Sequence, residues 1–392
     1  MIGNISRRLA RGTMAQQIVL ALILAGWLGG CAEEAAVQAR RHLGQRVSAA
    51  GQDSWFVKND GTLWHWGLGN PQPVQMGNDR DWVSITAGFS HAHALKADGT
   101  LWSWGNHSGG ALGLGGVNWT TEFTQVGTDS DWAVVRAAWQ SSLGLKTDGS
   151  LWAWGWNLSG RLGVGDANDR TVPTRVQGLP PVRDFSTGGA HTLAVDADGH
   201  LWAWGSNQSG VLGLGSTTAD EYLTPQAVGT DADWRHVRSG FASLALKNNG
   251  SLWAWGLNRY GSVGTDTPEQ CPDSTNPCVS YPLPVGSDLD WEALSAGGAS
   301  LALKRNGTLW AWGENSLGAL GLGDLDNRFA PEALLGAGPW KEIHVHAHVV
   351  ALHADGSVWT WGRDSGGGEL GREGPATCAS WMCDPTPGVV NF

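Results

Sequence analysis

The octapeptide Asp198-Gly199-His200-Leu201-Trp202-Ala203-Trp204-Gly205 is one of seven copies of a single phrase along the chain. Each copy reads Asp or Asn, Gly, any residue, Leu or Val, then Trp-x-Trp-Gly. The seven glycines that follow the Asp or Asn are residues 61, 99, 149, 199, 250, 307 and 356. They are separated by 38, 50, 50, 51, 57 and 49 residues. A period near 50 residues is the size of one β-propeller blade.

Each copy predicts four short strands. A β-branched run such as Val83–Gly88 precedes an alternating strand such as His93–Lys96. The Asp-Gly pair predicts a two-residue hairpin turn with positive φ, and the Leu-Trp-x-Trp strand returns from it with both Trp on one face. An Asn-x-x-Gly-x-Leu-Gly loop and a Pro-x-x-Val strand close the unit. The fold class predicted is therefore all-β, in four-stranded blades.

These motifs resemble the repeats of the regulator of chromosome condensation family, and the match extends over about residues 46–392. The resemblance implies a seven-bladed β-propeller. Kelch repeats share the period, but they carry a Gly-Gly pair and differently spaced aromatic residues. The phrase accounts for 14 of the 25 Trp, which we expect to pack between neighbouring blades, as Trp204 would.

The first thirty residues are predicted to be a signal peptide. Three arginines precede an apolar run of eleven residues, 18–28, and a Leu-Gly-Gly-Cys sequence ends at Cys31. This sequence resembles the lipobox of bacterial lipoproteins, which implies cleavage before Cys31, lipidation of its thiol, a short tether over 31–45 and, by analogy, the outer membrane or cell surface. An ordinary secretory signal is the alternative. Cleavage would remove three arginines and no acidic residue, so the formal charge would fall from −11 to −14.

Four further cysteines form two close pairs, Cys271 with Cys278 and Cys378 with Cys383. An even number of cysteines in an exported chain favours disulfides, and neighbours in sequence are the easiest to join. Zinc is the alternative, although its sites usually have the shorter C-x-x-C spacing.

The composition and the motifs argue against several classes of function. The acidic net charge argues against a nucleic-acid partner, and no stretch reaches the length of an apolar membrane-spanning helix. No nucleophile elbow, P-loop, zincin or dinucleotide motif occurs, so we predict neither an enzyme nor a cofactor. The aspartates of the four Asp-x-Asp-Trp sequences could bind calcium, but their recurrence favours turn and strand-cap roles.

The histidines are predicted to be structural. His91, His191 and His348 each lie eight residues before a turn glycine, where a hydrogen-bonding role is expected. His344, His346 and His348 alternate as if on one strand face and could hold a transition metal, but no Cys or Asp stands beside them at ligand spacing. We therefore predict no metal site.

Departures from the repeat mark candidate binding loops. Repeat one lacks the Gly-x-Leu-Gly loop, and repeats five and seven carry the paired cysteines. Aromatic residues outside the repeat pattern are the candidate contacts with a protein partner, because interfaces are rich in such side chains: Trp119, Trp156, Tyr260, Tyr281 and Trp381.

The predicted function is a monomeric, surface-anchored propeller that binds an unidentified protein and touches the membrane only through its lipid. Two alternatives stand beside it, the first of which comes from the resemblance. One is guanine-nucleotide exchange, the activity of the family's eponymous member. The other is a secreted enzyme inhibitor or a glycan-binding propeller.

Overall fold

A computed structural model describes residues 44–106, 109–116, 119–218, 220–265, 276–336, 338–372, 377–378 and 381–392; the side chains of 377, 378, 381 and 382 are not described. Within these residues, 29 strands form seven antiparallel sheets, and two 3₁₀ segments, Leu158–Gly160 and Gln208–Gly210, are the only helical structure. The chain is a seven-bladed β-propeller, as the repeats predict.

Each blade is built from consecutive strands. The first blade comprises β1 Val47–Ala49, β2 Asp53–Val57, β3 Leu63–Gly67 and β4 Asn70–Gln75. The second comprises β5 Trp82–Ala87, β6 His91–Lys96, β7 Leu101–Asn106 and β8 Trp119–Gln125. The third comprises β9 Trp132–Ala138, β10 Ser141–Lys146, β11 Leu151–Gly155 and β12 Arg170–Arg175.

The remaining four blades repeat that order, and the last adds a short fifth strand. They comprise β13 Val182–Thr187, β14 His191–Asp196, β15 Leu201–Ser206, β16 Glu221–Ala227; β17 Trp234–Ser239, β18 Ala242–Lys247, β19 Leu252–Leu257, β20 Cys278–Pro284; β21 Trp291–Ala296, β22 Ala299–Lys304, β23 Leu309–Gly313, β24 Arg328–Ala333; and β25 Trp340–Val345, β26 His348–His353, β27 Val358–Asp364, β28 Thr377–Cys378, β29 Trp381–Val390.

The first strands of the blades form the inner wall of the ring. Each first strand contacts the first strand of the next blade. The ring is closed because β25, the first strand of the last blade, contacts β1. Among the described strands, none from one end of the chain joins the sheet of a blade at the other end. Closure depends on side chains instead: Val47, Phe56 and Trp66 of the first blade pack with Val350 and Val390 of the last.

The Asp-Gly turn differs from the one predicted. Gly61 N donates to Lys58 O at 3.0 Å and Lys58 N donates to Thr62 O at 2.9 Å, so three residues form the loop. Only the glycine has positive φ, +79° at Gly61, while Asp60 does not. The prediction of a two-residue turn was wrong because the Asp carboxylate accepts from Thr62 N at 3.0 Å and holds a type I turn before the glycine. All seven turn glycines have positive φ.

Two-residue geometry appears where the repeat loop is missing. In the first blade, Gly67 pairs directly with Asn70, and the residues between them, Leu68 and Gly69, have φ of 51° and 90°. Positive φ at both central positions is typical of a type I′ hairpin. The first blade therefore replaces the Gly-x-Leu-Gly loop with the tightest available connection.

In six of the seven blades, the second Trp of the phrase forms a hydrogen bond to the blade before it. Trp204 is completely buried, and its indole N–H donates to Arg161 O at 2.9 Å. Arg161 is the variable residue of the preceding blade's Gly-x-Leu-Gly loop. The same bond joins the other pairs, Trp154 to Ala111, Trp255 to Val211, Trp312 to Ser262, Trp361 to Ala319 and, across the closure, Trp66 to Glu369. The predicted packing between blades is confirmed for these six Trp, whereas Trp104 bonds within its own blade and the first Trp of each phrase is only partly buried.

Candidate functional site

A central cavity of about 1160 Å³ runs between the first strands. Alternate residues of each first strand face it, because side chains of a strand alternate between its two sides. One position on each first strand forms a belt around the wall, which we call the acceptor belt: Ser48, Thr86, Arg136, Ser186, Arg238, Ser295 and His344. All but the fully buried Ser48 line the cavity.

The acceptor belt satisfies backbone groups of neighbouring blades. Ser48 Oγ accepts from Ala87 N, and Thr86 Oγ1 accepts from Ala137 N, each at 3.0 Å. Ser186, Ser295 and His344 receive the same bond from Ser239, Val345 and Ala49. A first strand has an open edge toward its neighbour, and buried backbone N–H groups must find acceptors. Five of the seven positions therefore serve the ring itself.

Arg136 and Arg238 depart from this rule, since a guanidinium group cannot accept a hydrogen bond. Both pair with the buried Asp184 of the blade between them. Arg136 Nη2 lies 3.0 Å from Asp184 Oδ1, and Arg238 Nη1 lies 3.2 Å from Asp184 Oδ2. His236 Nδ1 and Val237 N also contact Asp184 Oδ2, at 3.2 and 3.0 Å.

The pKa shifts describe a crowded positive site. Burial and the nearby Arg238 lower the pKa of Arg136 to about 10, against the opposing effect of Asp184. Burial alone would raise the pKa of Asp184, but Arg238 and Arg136 hold it well below its usual range. Burial lowers the pKa of His344 to about 3, and His346, Arg136 and Arg238 add to the effect. His344 is therefore neutral near pH 7, as its acceptor role requires.

Aromatic side chains surround one mouth of the cavity. Phe89, Trp139 and Phe241 lie in the connections between first and second strands and are 49, 53 and 49% exposed. Phe89 and Trp139 stack with ring centroids 5.6 Å apart. Trp156, from the connection after β11, is 36% exposed and lines the same cavity. We call these four residues the aromatic rim and this side of the propeller the loop face.

Of the sequence candidates whose side chains are described, Trp156 alone lies at the aromatic rim. Trp119 opens the outer strand β8 and is 67% exposed, and Tyr281 lies on the outer strand β20 at 45%. Tyr260 is half-buried beside Arg259, whose guanidinium carbon lies 4.8 Å from its ring centroid. Trp381 begins β29, but its side chain is outside the described part of the structure.

Sequence reasoning missed Phe89, Trp139 and Phe241. Aligning the seven connections between first and second strands would have shown that their apex is Gln52, Phe89, Trp139, Gly189, Phe241, Gly298 and Ala347. Three large aromatic residues at a position otherwise held by small or polar residues are a visible signal. The paired arginines could be found the same way, by aligning the first strands.

The opposite face carries four lysine cages. Lys96 Nζ lies 2.6 Å from Asp79 and 3.3 Å from Asp81, and 4.8 Å from the ring centroids of Trp82 and Trp102. The Asp-x-Asp-Trp sequences around Lys146, Lys247 and Lys304 make the same arrangement. Burial lowers the pKa of Lys96, but the two carboxylates outweigh it and the net pKa is raised. The expected turn and strand-cap role is corrected to an ion pair with lysine.

The structural histidines bind serines of the next blade. His91 Nε2 is 3.0 Å from Ser142 Oγ, His191 Nε2 is 2.9 Å from Ser243 Oγ, and His348 Nε2 is 2.7 Å from Ser54 Oγ. His344 and His348 do not share a strand, because β25 ends at Val345 and His348 begins β26. The suggested one-face arrangement was wrong, and among the described residues no group of three or more metal-ligating side chains occurs.

The cysteine predictions fall partly outside the described residues. Cys278 and Cys383 are buried and disulfide-bonded. Cys271 and the side chain of Cys378 are not described, so pairing within each couple stays a prediction. Residues 1–43, with Cys31, also lie outside the description. In the part that is described, no helix is long and apolar enough to cross a membrane.

The profile of the regulator of chromosome condensation (RCC1) repeat matches residues 148–195, 198–241 and 306–352, and a second RCC1 profile matches 82–110 and 182–211. The chain is an RCC1-repeat propeller. Each of the longer matches begins at an Asp-Gly or Asn-Gly turn and ends in the next blade. The RCC1 sequence repeat is thus offset from the structural blade and contains the junction between two blades.

Curated relatives match over a short part of their length. The human probable E3 ubiquitin-protein ligase HERC4 is 33% identical over 106 residues, which are 27% of this chain and 10% of HERC4. The ultraviolet-B receptor UVR8 of Arabidopsis thaliana is 28% identical over 102 residues, 26% of this chain and 20% of UVR8. The chain thus matches a fifth or less of each of these two proteins.

Solved structures match over most of the ring. Prp20p from Saccharomyces cerevisiae, whose structure is described with its binding to Gsp1p and histones, has a TM-score of 0.71 at 19% identity, covering 91% of this chain and 89% of Prp20p. Human WBSCR16 has a TM-score of 0.68 at 21% identity, covering 82 and 85%. At these identities the likeness establishes the fold alone.

Proposed function

We propose that this RCC1-repeat propeller is a non-catalytic scaffold that binds a protein partner through its loop face and is held at the cell surface or periplasmic face by a lipid on Cys31. The observation that supports binding is the aromatic rim. Monomeric proteins rarely leave several large aromatic residues half exposed in one place, and such clusters are typical of interaction sites. The described residues form no recognisable catalytic arrangement around it.

The family comparison supports a protein as the partner. Prp20p is described as binding Gsp1p and histones, and another structure of yeast RCC1 is described as bound to Kap60. These partners belong to those proteins. Their relevance here is that the propeller can present a rigid surface to other proteins, while the residues that select the partner differ.

Cross-linking of the exported chain in its own cells tests the loop face. The Trp139→Ala and Phe241→Ala double variant should lose the cross-linked partner, because interfacial aromatic residues carry about 2 kcal/mol or more of binding. Leu289→Ala is the matched control, since Leu289 is 54% exposed in the connection between blades on the opposite face. A partner retained by the rim variant and lost by the control would place binding on the other face.

The lipid anchor has its own test. Cys31→Ser should abolish incorporation of a labelled fatty acid, because the thiol is the acceptor. Equal labelling of both proteins would contradict the anchor. Nucleotide release from a Ran-type GTPase by the purified propeller would favour the exchange-factor alternative, and binding of oligosaccharides that depends on Trp139 would favour a glycan partner.

A further inference from the structure

At each first strand, the acceptor belt should supply a hydrogen-bond acceptor for a backbone N–H of the neighbouring blade. Two of its seven positions do not supply one. Ser, Thr or His accepts a neighbour's backbone N–H at five positions, whereas Arg136 and Arg238 cannot. They lie two blades apart, on either side of Asp184. A serine would serve the scaffold at both positions, so the two arginines call for an explanation outside the scaffold.

Their charges are only partly matched. Two guanidinium groups and His236 share the single carboxylate of Asp184. Among the described residues, Arg136 Nε is buried without a hydrogen-bond partner. Of the described residues that line the cavity, six are Arg or Lys and two are Glu, although the whole chain has a net charge of −11. The cavity is therefore positive inside an acidic protein.

The cavity is large enough for a segment of extended chain. The cavity volume of about 1160 Å³ exceeds the roughly 300–1,000 Å³ of most small-molecule sites. Gly189 and Gly298 stand where other blades carry larger residues. A Cβ on Gly189 would lie 4.0 Å from Trp139, and one on Gly298 would lie 3.8 Å from Glu314 and 3.9 Å from Phe241. The absence of larger side chains at these two positions keeps the space beside the two rings open.

We propose that the cavity binds an acidic peptide segment of the protein partner, with an Asp or Glu carboxylate at Arg136 and Arg238 and apolar side chains against the aromatic rim. The proposal rests on the function proposed above and specifies the partner's chemistry. A carboxylate can take two parallel N–H bonds from one guanidinium group. Polyanions such as nucleic acids do not fit, because the acidic exterior repels a long negative chain.

Fluorescence anisotropy with two labelled decapeptides tests the inference on the full chain. One alternates Glu with Leu, and the other has Gln in place of every Glu. The Glu peptide should bind the wild type, and Arg136→Ser should weaken it by about tenfold to a hundredfold, as expected for lost bonds to a charged group. Arg238→Ser should act likewise. Arg80→Ser removes the same charge from a side chain 68% exposed on the opposite face and should change nothing.

Two further measurements complete the test: the melting temperature of the arginine variant, and peptide binding by a variant that is expected to bind more tightly. Arg136→Ser introduces the residue type of three other blades, and Arg238, His236 and Val237 N still contact Asp184. The variant should therefore fold, with a melting temperature lowered by the lost ion pair. Asp184→Asn keeps an acceptor for Val237 N but removes the competing charge, so the Glu peptide should bind more tightly. Weaker binding to this variant would overturn the proposal even if an arginine variant failed to fold.

The outcomes separate this proposal from the proposed function. Equal binding of Glu and Gln peptides that depends on Trp139 would refute the acidic-peptide site and leave the loop face as a protein-binding surface. Binding of the Glu peptide that needs Arg136 but not Trp139 would support the cavity and refute the rim. Free glutamate that displaces the peptide at similar concentrations would identify a small-anion site and overturn the peptide. No binding of either peptide would also overturn it.

Discussion

The junction between the first and second blades differs from the other six. Elsewhere, a loop Leu, or Val263 in the fifth blade, is buried at the junction and the loop's variable residue accepts from the next blade's second Trp, as at Trp204. The first blade has no such loop, and Trp104 of the second blade turns to its own blade, donating to Thr121 O at 3.0 Å. Its ring is only half-buried. A missing loop thus redirects the residue that would have bonded to it.

Larger side chains fill the space at this junction. Trp55 stands where most blades carry Leu, and His65 stands where four blades carry Ala. The Trp55 ring lies 4.2 Å from His65 and 5.1 Å from Trp104, measured between centroids. Trp55 Nε1 donates to Asp53 at 3.1 Å. The repeat therefore tolerates loss of a loop when neighbouring residues supply equivalent volume, since a core void is costly.

The largest expected contrast is between the two Trp that hold equivalent positions. Trp204→Ala should lower the free energy of unfolding by about 3–5 kcal/mol, because it leaves a cavity and an unpaired carbonyl. Trp104→Ala should cost about half of that or less, because less of its surface is buried. Chemical denaturation of both variants measures the difference. Equal losses would mean that the first junction is as tightly held as the others.

A pair of exchanges tests whether volume compensates for the loop. Trp55→Leu gives the first blade the residue found in most other blades, and it should still cost about 2–3 kcal/mol because no loop fills the void. The reciprocal Leu193→Trp should cost about 1–3 kcal/mol by overpacking a junction that has its loop. Thermal melts of the two variants decide. A neutral Trp55→Leu would show that the first junction is not filled by this ring.

A smaller contrast concerns the hydroxyl beside the indole. Ser243 Oγ donates to Val211 O at 2.7 Å and contacts His191, so Ser243→Ala should cost about 1–2 kcal/mol. The second blade carries Ala92 at this position, facing the missing loop. Ala92→Ser should therefore bring no gain, since it finds no loop carbonyl. A clear gain in unfolding free energy for Ala92→Ser would contradict the account.

The smallest effect depends on pH and compares the last blade with the sixth. His353 holds the position of Lys304, with its Nδ1 2.9 Å from Asp355 and its ring 5.7 Å from that of Trp340. The bond to Asp355 raises the pKa of His353. Its stabilisation is then complete below the unfolded pKa of about 6.5 and is lost as pH rises through the higher folded pKa. Because the pair is exposed, we expect less than about 1 kcal/mol.

Denaturation midpoints across this pH window check the effect. His353→Lys should remove this part of the pH dependence, because lysine remains charged throughout. An unchanged pH profile in the variant would assign the pH dependence to other groups. One such group is Asp364, whose pKa is raised to about 6 by burial and by the neighbouring Glu369.

Local sequence patterns predicted the ring better than the site. The period and the Trp spacing indicated seven blades of four strands, because both depend on residues close together in sequence. The turn type was missed because it depends on whether the Asp side chain caps the backbone, as Asp60 does. The lysine in each Asp-x-Asp cage comes from a strand about 16 residues away, beyond the reach of a local motif.

The aromatic rim and the paired arginines could be recognised only once the arrangement of the strands in the ring was known. Arg136 and Arg238 are 102 residues apart, yet both contact Asp184 because the ring brings alternate blades to one cavity. Searching for unusual aromatics found Trp156 but also Trp119 and Tyr281, which lie on outer strands. Only the order of strands from the cavity outward separates these groups.

The six indole–carbonyl bonds between blades all point to the preceding blade, so every junction except the first joins a donor side to an acceptor side. The ring is therefore a covalently linked equivalent of a head-to-tail cyclic oligomer with pseudo-sevenfold symmetry. Opening such a ring at most junctions would expose an unmatched donor surface and an unmatched acceptor surface, which could join those of other molecules into a filament. The first junction lacks this indole–carbonyl pair, so a ring that opened there would expose neither half of it.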